Sequence, residues 1–443
     1  MGRCDRGSAA PIGAAGIEAR RLSVPVGTLP AMNRLTVVDE MFLRAHRGMG
    51  TPIALQGIWR TADRVGSELL RDVHEALRTG PLGRRVVRSR IPGARPRWQV
   101  TGWAHPLVLA GEPLAAHTLL EWADGQGADL DPEFGPGWRL SAAPLDDGGS
   151  VVALTCSHAL ADGRALTLAV DNALAGTPLA TPAAPHSDWA DARRQWSVVL
   201  GGTARALRRG IPRRPPSPPA RETPSDHPDA APRSAVLQIP ARDWNRVAVA
   251  HGGTANSLFV HAVANMLWST GFPEPEIAVS LPVDTRDEPR VDNDLAMTEI
   301  AVRRTDTPAT IRHRARAAYE HRMTSPGGMP EELLQVLPDR WAHALARGAG
   351  ERDILCSNIG TLPDSLLTLG PHQCTGVAAR AIHPGLRADA FPRTRLSAYF
   401  TRIADTYTLG LVGLDPQRIP TAADLRDLAG TTLGRLGLTA TPW

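Results

Sequence analysis

A Pro-rich stretch near the middle limits what this chain can build. Residues 210–233, GIPRRPPSPPARETPSDHPDAAPR, place Pro at 212, 215, 216, 218, 219, 224, 228 and 232. Proline fixes φ and lacks an N–H, so neither a helix interior nor a central strand runs through such a segment. With few large apolar residues it reads as an exposed linker. It divides 443 residues into parts of nearly equal size. The expected organisation is a leader over 1–32, an N-terminal lobe over 33–209, the linker, and a C-terminal lobe over 234–443.

Both halves interleave strand and helix patterns. In the first, PIALQGIWR (52–60) reads as a strand. RVGSELLRDVHEALRTG (64–80) is a helix with Val65, Leu69, Val73 and Leu77 on one face. RRVVRSRI and PRWQV read as strands around a turn. WRLSAAPLDDGGSVVALTCSHA reads as strand, turn, strand, and 164–176 as a helix. In the second half, SAVLQIP, EIAVSLPVDTR, LAMTEIAVRR, DILCSNIG and RLSAYFTRIADTYTLGLVGL read as strands. Helices are expected after Thr254, over PATIRHRARAAYEHR, and at TAADLRDLAGTTLGRLG. The fold class is α/β, in two lobes of α+β sandwich type.

Composition narrows the chemistry. All 49 basic residues counted as Lys plus Arg are Arg. A chain without Lys has no Schiff-base lysine and no P-loop or kinase lysine. A net charge of +4 is not that of a dedicated nucleic-acid binder. Arg nevertheless clusters at 78, 84, 85, 88, 90, 95 and 97, and again at 205, 208, 209, 213 and 214. The bland reading is a solvated surface; the sharper one is docking of coenzyme A phosphates or an acidic carrier, with Arg84, Arg85 and Arg88 as candidates. Cys4, Cys156, Cys356 and Cys374 form no C-x-x-C pair, so no zinc or redox dithiol is suggested and a cytoplasmic setting is expected. No apolar run approaches membrane-spanning length. No metal motif, dinucleotide fingerprint or G-x-S-x-G elbow is present.

The chemistry concentrates in SVVALTCSHALADGRALTL. A strand ending at Cys156 delivers Ser157 and His158, Asp162 and Gly163 follow in a loop, and a helix begins. A rigid strand end aims a side chain into a cleft, and His is suited to general-base work near neutral pH. Asp162 can brace the loop or the imidazole, directly or through an Arg. Gly163 permits close backbone approach.

SHALADG resembles the H-x-x-x-D-G motif of the chloramphenicol-acetyltransferase-like superfamily. That group holds nonribosomal peptide condensation domains, polyketide-associated acyltransferases and wax ester synthases. VDEMFLRAH, HEALRTGPLGRRV, SDWADARRQW, LPVDTRDEPRVDNDLAMTEIAVRR and CSNIGTLP resemble further segments in the same order, over about residues 35–430. The resemblance implies two V-arranged lobes with a tunnel between them. It implies His158 as the catalytic base, Asp162 as a structural partner of Arg286, and Gly163 as a loop tightener. Ser157 stands where the family often has a first His. Ser357 and Asn358 would lie near the tunnel as oxyanion or pantetheine contacts.

The function so implied is acyl transfer from a carrier-protein or coenzyme A thioester to a hydroxyl or amine of a small molecule, as in natural-product assembly. It needs no permanently bound cofactor and no metal, and a monomer is expected. A wax ester or diacylglycerol-type lipid role is the alternative. Sparse aromatics and no evident amphipathic anchor count against it. A non-catalytic docking platform in a megasynthase is the second alternative.

Overall fold

The computed structural model describes residues 34–177, 187–210, 231–320, 329–346, 351–387 and 390–443. The first half forms α1 (Val37–His46), β1 (Ala54–Thr61), α2 (Ser67–Thr79), β2 (Arg84–Val87), β3 (Arg97–Val100), β4 (Val108–Leu109), α3 (Leu119–Asp124), β5 (Trp138–Pro144), β6 (Ser150–Ser157), α4 (Gly163–Ala175) and α5 (Asp188–Arg208). The second half begins with β7 (Arg233–Pro240), α6 (Ala241–Ala250), α7 (Ala255–Ser269), β8 (Glu276–Asp284), β9 (Leu295–Arg303), α8 (Pro308–Glu320), α9 (Leu333–Val336) and α10 (Asp339–Ala346). It ends with β10 (Ile354–Thr361), β11 (Thr368–Leu369), β12 (His372–Ile382), β13 (Leu396–Ile403), β14 (Thr406–Gly413), α11 (Ala422–Arg435) and β15 (Thr441–Pro442). The expected leader, and most of the expected linker, lie outside the described residues.

Local chemistry sets several helix starts. At α1, Thr36 Oγ1 accepts from the Asp39 N–H at 3.1 Å and Asp39 Oδ2 accepts from the Thr36 N–H at 2.8 Å. This reciprocal box satisfies two orphan donors. Thr254 with Ser257 does the same for α7, and Thr421 with Asp424 for α11. The helix expected over 64–80 is α2, which buries Leu70, Val73 and Leu77.

Two sheets carry the lobes. The first has six strands in the order β11-β12-β1-β6-β5-β4, and the second seven in the order β15-β7-β14-β13-β10-β8-β9. A small ribbon pairs β2 with β3. β6 is buried along its whole length, between β1 and β5. That explains why its sequence, SVVALTCS, is a nearly unbroken apolar run. Each half has a large apolar core: one around Leu154, Trp138 and Leu166, the other around Phe259, Trp244 and Phe400.

The halves are not separate in the way expected. β11 and β12 come from the second half yet complete the first sheet, with β12 antiparallel to β1 from Ala54↔Ile382 to Thr61↔Cys374. Helices α9 and α10 also lie against the first half: Gln335 Nε2 donates to Glu40 Oε1 at 2.8 Å, and Arg44 Nε to Asp339 Oδ1 at 3.0 Å. A continuous C-terminal lobe over 234–443 is therefore corrected. The physical reason lies in the small residues of β12 and its neighbour. A Cβ on Gly376 would sit 2.6 Å from the Trp443 ring, and one on Gly410 would sit 3.0 Å from the Ala379 carbonyl oxygen. Only glycine allows the crossing strand to approach the second sheet this closely.

Arg380 locks that strand in place. Its side chain is fully buried and donates to Gln56 Oε1 at 2.8 Å and Leu120 O at 3.2 Å, with Asp124 Oδ1 at 2.6 Å. Asp124 is 35% exposed, so loss of Arg380 costs chiefly its buried packing volume and the donors to Gln56 and Leu120. Arg380→Ala is expected to lower the unfolding free energy in urea by about 2–5 kcal/mol. The double change Arg380→Met with Asp124→Leu should recover much of the loss. A single variant no worse than the double one would contradict this account.

Candidate active site

The end of β6 builds the site. After Ser157 the chain turns sharply: Leu160 N–H bonds Ser157 O at 3.0 Å, and His158 N–H bonds Ile53 O at 3.2 Å beside β1. Ala159, Leu160 and Ala161 are fully buried. The loop that carries His158 is thus pressed into the core, and the imidazole has a fixed origin.

Two side chains from other elements position the ring. Phe42 of α1 stacks on it, with centroids 3.6 Å apart and planes 15° from parallel. Asn293, in the loop between β8 and β9, places Oδ1 3.1 Å from His158 Nδ1. The Asn293 amide nitrogen faces only acceptors: Asp39 Oδ1 at 2.8 Å, His158 O at 2.7 Å and Ala159 O at 3.3 Å. That network orients the amide with its oxygen toward the ring. Nδ1 must then carry the proton, and Nε2 holds the free lone pair. His158 keeps some surface exposure, yet desolvation of its ring lowers its pKa below the usual 6.5. The neutral base form is therefore the resting form at neutral pH.

Asp162 and Arg286 hold the frame and do not touch the ring. Asp162 Oδ1 caps α4 by accepting from Ala165 N–H at 2.9 Å. Its Oδ2 accepts from Arg286 Nη2 at 2.6 Å and from Asp294 N–H at 3.1 Å. Arg286 also bonds the carbonyls of Arg290 and Asp292. One carboxylate thereby ties the loop bearing His158 to the loop bearing Asn293.

Arg84 makes the same tie from below, and its expected role is corrected. It is buried, with Nη2 donating to Leu160 O at 2.7 Å and Val291 O at 2.8 Å, and its guanidinium lies 4.4 Å from the Trp98 ring centre. It cannot meet a carrier or coenzyme A. Arg85 bonds Gln99 and covers the Trp103 ring. Arg88 pairs with Glu133 at 2.6 Å. The 78–97 cluster is thus divided: Arg95 pairs with the buried Asp191, while Arg78 pairs with Glu75 at the surface.

The other expected residues divide. Gly163 meets the second half directly, since a Cβ there would lie 3.3 Å from Ile359 Cδ1. Arg164 Nη1 bonds Thr361 O at 3.1 Å, so the β10 end packs over the first turn of α4. Ser357 and Asn358 lie just before that contact, but the Asn358 amide is engaged elsewhere. It donates to Asn256 Oδ1 at 3.0 Å and accepts from Gly360 N–H at 3.0 Å. Ser157 is fully buried; its Oγ accepts from Ala159 N–H and lies 2.5 Å from His46 Nε2. Cys156 is no nucleophile: burial pushes its thiol up to about 12.

Sequence reading missed Asp39, Phe42 and His46, although the VDEMFLRAH segment that holds them stood out. It also passed over His383, which lies across β1 from His158 at the same end of the sheet, through Ala54↔Ile382 and Ala54↔Ser157. His383 Nδ1 meets Pro52 O at 2.9 Å, and burial lowers its pKa to about 4.

Comparison with solved structures places this architecture. No family model matches the chain, and no curated protein matches it by sequence. The first condensation domain of the calcium-dependent antibiotic synthetase, solved with a substrate analogue, aligns with TM-score 0.56 and 15% identity, over 91% of this chain and 95% of its own. Polyketide synthase associated protein 5 from Mycobacterium tuberculosis gives 0.54 and 14%, over 92% and 99%. The wax ester synthase/diacylglycerol acyltransferase from Marinobacter aquaeolei VT8 gives 0.53 and 15%, over 91% and 98%.

The Asp162–Arg286 tie predicts a separation of effects. Asp162→Ala should destabilise the fold by about 3–5 kcal/mol, read by urea unfolding. Asp162→Asn, which can still accept at the cap, should cost clearly less. Equal losses would show that the charge, and not the tie, is what matters.

With two sheets bridged by a crossing strand, and the His158 loop clasped between the halves, the chain has the chloramphenicol-acetyltransferase-like fold of condensation domains.

Proposed function

We propose that the protein is a thioester-dependent acyltransferase with His158 as its general base. The reading rests on one observation: an imidazole whose tautomer is fixed by Asn293, with Nε2 left as the basic nitrogen. Fold likeness at this identity supports the architecture alone, so the chemistry is argued from the site.

The donor is an acyl thioester of coenzyme A or a phosphopantetheinyl carrier, and the acceptor a hydroxyl or amine on a small molecule. His158 Nε2 takes the acceptor's proton as its oxygen or nitrogen bonds to the thioester carbonyl carbon. The tetrahedral intermediate collapses, the carbon–sulfur bond breaks, and the thiolate recovers the proton from the imidazolium. The Nδ1 proton stays on the ring throughout, donated to Asn293 Oδ1. Asp39, one bond further out, is a carboxyl group that burial pushes up to about 6. Its negative form steadies the imidazolium through the intervening amide. Arg286, Asp162 and Arg84 act as positioning residues. The acceptor is read as a small molecule of natural-product assembly; the lipid role keeps the same mechanism with a long-chain alcohol or diacylglycerol as acceptor.

His158→Ala should reduce acyl transfer by about 10²–10⁴-fold at unchanged stability, in an assay that offers acyl-CoA and acyl-carrier donors to alcohol and amine acceptors. Wild-type turnover in that variant would remove His158 as the base. Transfer by neither donor to any acceptor, with persistent capture of a synthase partner, would favour the docking platform.

The pH profile gives a second test. A base must be neutral, and desolvation favours neutral His158. The acid limb of kcat/KM should therefore have its midpoint below 6.5 and the rate should be flat above it. Asn293→Ala removes the acceptor that supports the protonated ring, which should move that limb further down. A limb unmoved by this change would mean that it belongs to another group.

A further inference from the structure

The outward side of α5 is unlike any other helix face among the described residues. Its inward residues, Ala192, Gln195, Val199, Gly202 and Ala206, are buried. A Cβ on Gly202 would lie 2.7 Å from Pro330, and Gln195 bonds Gln335 at 2.9 Å, so this face is fully used. Yet Trp189, Leu200 and Leu207 are 65%, 63% and 53% exposed, and Trp196, whose Nε1 donates to Pro92 O at 3.4 Å, still shows 40% of its surface. At 3.6 residues per turn these four fall within about 40° of one another, in a row about 27 Å long. The buried face lies about 100° to one side of the row. Arg194, Arg205 and Arg208 lie about 100–160° to the other side, and Arg193 sits closer in.

The charge on this helix has one sign at the surface. Arg193, Arg194, Arg205, Arg208 and Arg209 are exposed, and none forms an ion pair with a described residue. Its two acids are engaged inward: Asp188 with Arg34 and Asp191 with Arg95. The next exposed apolar pair, Trp341 at 66% and Leu345 at 63%, is on α10, which follows directly from the α9 segment that α5 packs against. Arg340 beside that pair is exposed too. Scattered exposed apolar residues need no explanation, but an ordered row of them does.

We propose that α5, with the tip of α10, is a docking surface for an anionic lipid bilayer. Tryptophan settles at the headgroup level of membranes, leucine enters the acyl boundary, and Arg reaches back to lipid phosphates. A basic amphipathic helix lying in the interface has this arrangement. A second copy of the chain fits poorly, because pairing α5 with itself sets Arg against Arg. A protein partner would need a groove shaped to a long convex ridge, whereas a bilayer needs no shape match. The absence of an evident amphipathic anchor, which counted against a lipid role in the sequence, is thereby reversed: the anchor is α5. The inference stands on binding alone and does not depend on the chemistry assigned to His158.

The test is co-sedimentation of the full chain with phosphatidylcholine vesicles, with and without phosphatidylglycerol. Binding is expected only with phosphatidylglycerol, and to weaken as salt rises. Trp189→Ser with Leu200→Ser, and separately Arg205→Glu with Arg208→Glu, should each lower the partition coefficient by on the order of tenfold while circular dichroism stays unchanged. No binding, binding equal on neutral vesicles, or binding indifferent to both pairs of changes would overturn the proposal. So would a dimer in sedimentation, or a complex with an acidic carrier protein, that the same variants abolish without any vesicle binding.

Discussion

The contact on which the site depends is the carboxylate of Asp162 shared between its own helix and the opposite loop. One oxygen caps α4, and the other holds Arg286 and the Asp294 amide. Because Asn293 is the neighbour of Asp294, the carboxylate sets where the Asn293 amide lies, and Asn293 sets which nitrogen of His158 is basic. A residue that never meets the imidazole therefore decides its tautomer. Arg84 repeats the tie by joining Leu160 and Val291 through one guanidinium nitrogen. The site is a seam between two loops, stitched twice by arginine.

That arginine does this work is fitting in a chain without lysine. A guanidinium offers five donors in a plane and holds its charge when buried. Arg84, Arg286 and Arg380 each bridge segments more than 70 residues apart in sequence. Each uses that planar fork to collect carbonyls or carboxylates from different elements. Part of the 78–97 cluster that suggested a binding surface thus serves the fold's internal wiring, whereas Arg205, Arg208 and Arg209 stay exposed.

What the sequence disclosed follows from the range of the forces involved. The α/β class, the strand ending at Ser157, and the helix after Gly163 depend on local periodicity and capping, and the structure shows them there. The Asp162–Arg286 pairing was accessible through resemblance and is present as an ion pair. Burial was not accessible: nothing local distinguishes Arg84, inside the protein, from Arg90, outside it. Nor was Phe42, whose spacing in α1 suits a core position equally well. The row on α5 was hidden because its apolar residues are interleaved with buried small ones, which reads as a single weakly amphipathic helix.

The crossing strand has a consequence for how the protein comes into being. β1 pairs with β12, and Gln56 and Arg380 in those strands are 324 positions apart. As the chain leaves the ribosome, the first sheet stands with one edge open until residues beyond 380 have been made. An open strand edge is a template for mispairing, and distant pairing is slow because a long loop must close first. The nascent protein must therefore keep a largely built, unfinished lobe from aggregating while most of the second half is made. Its sheet is sealed only near the end, and by the same strand that couples it to the second lobe.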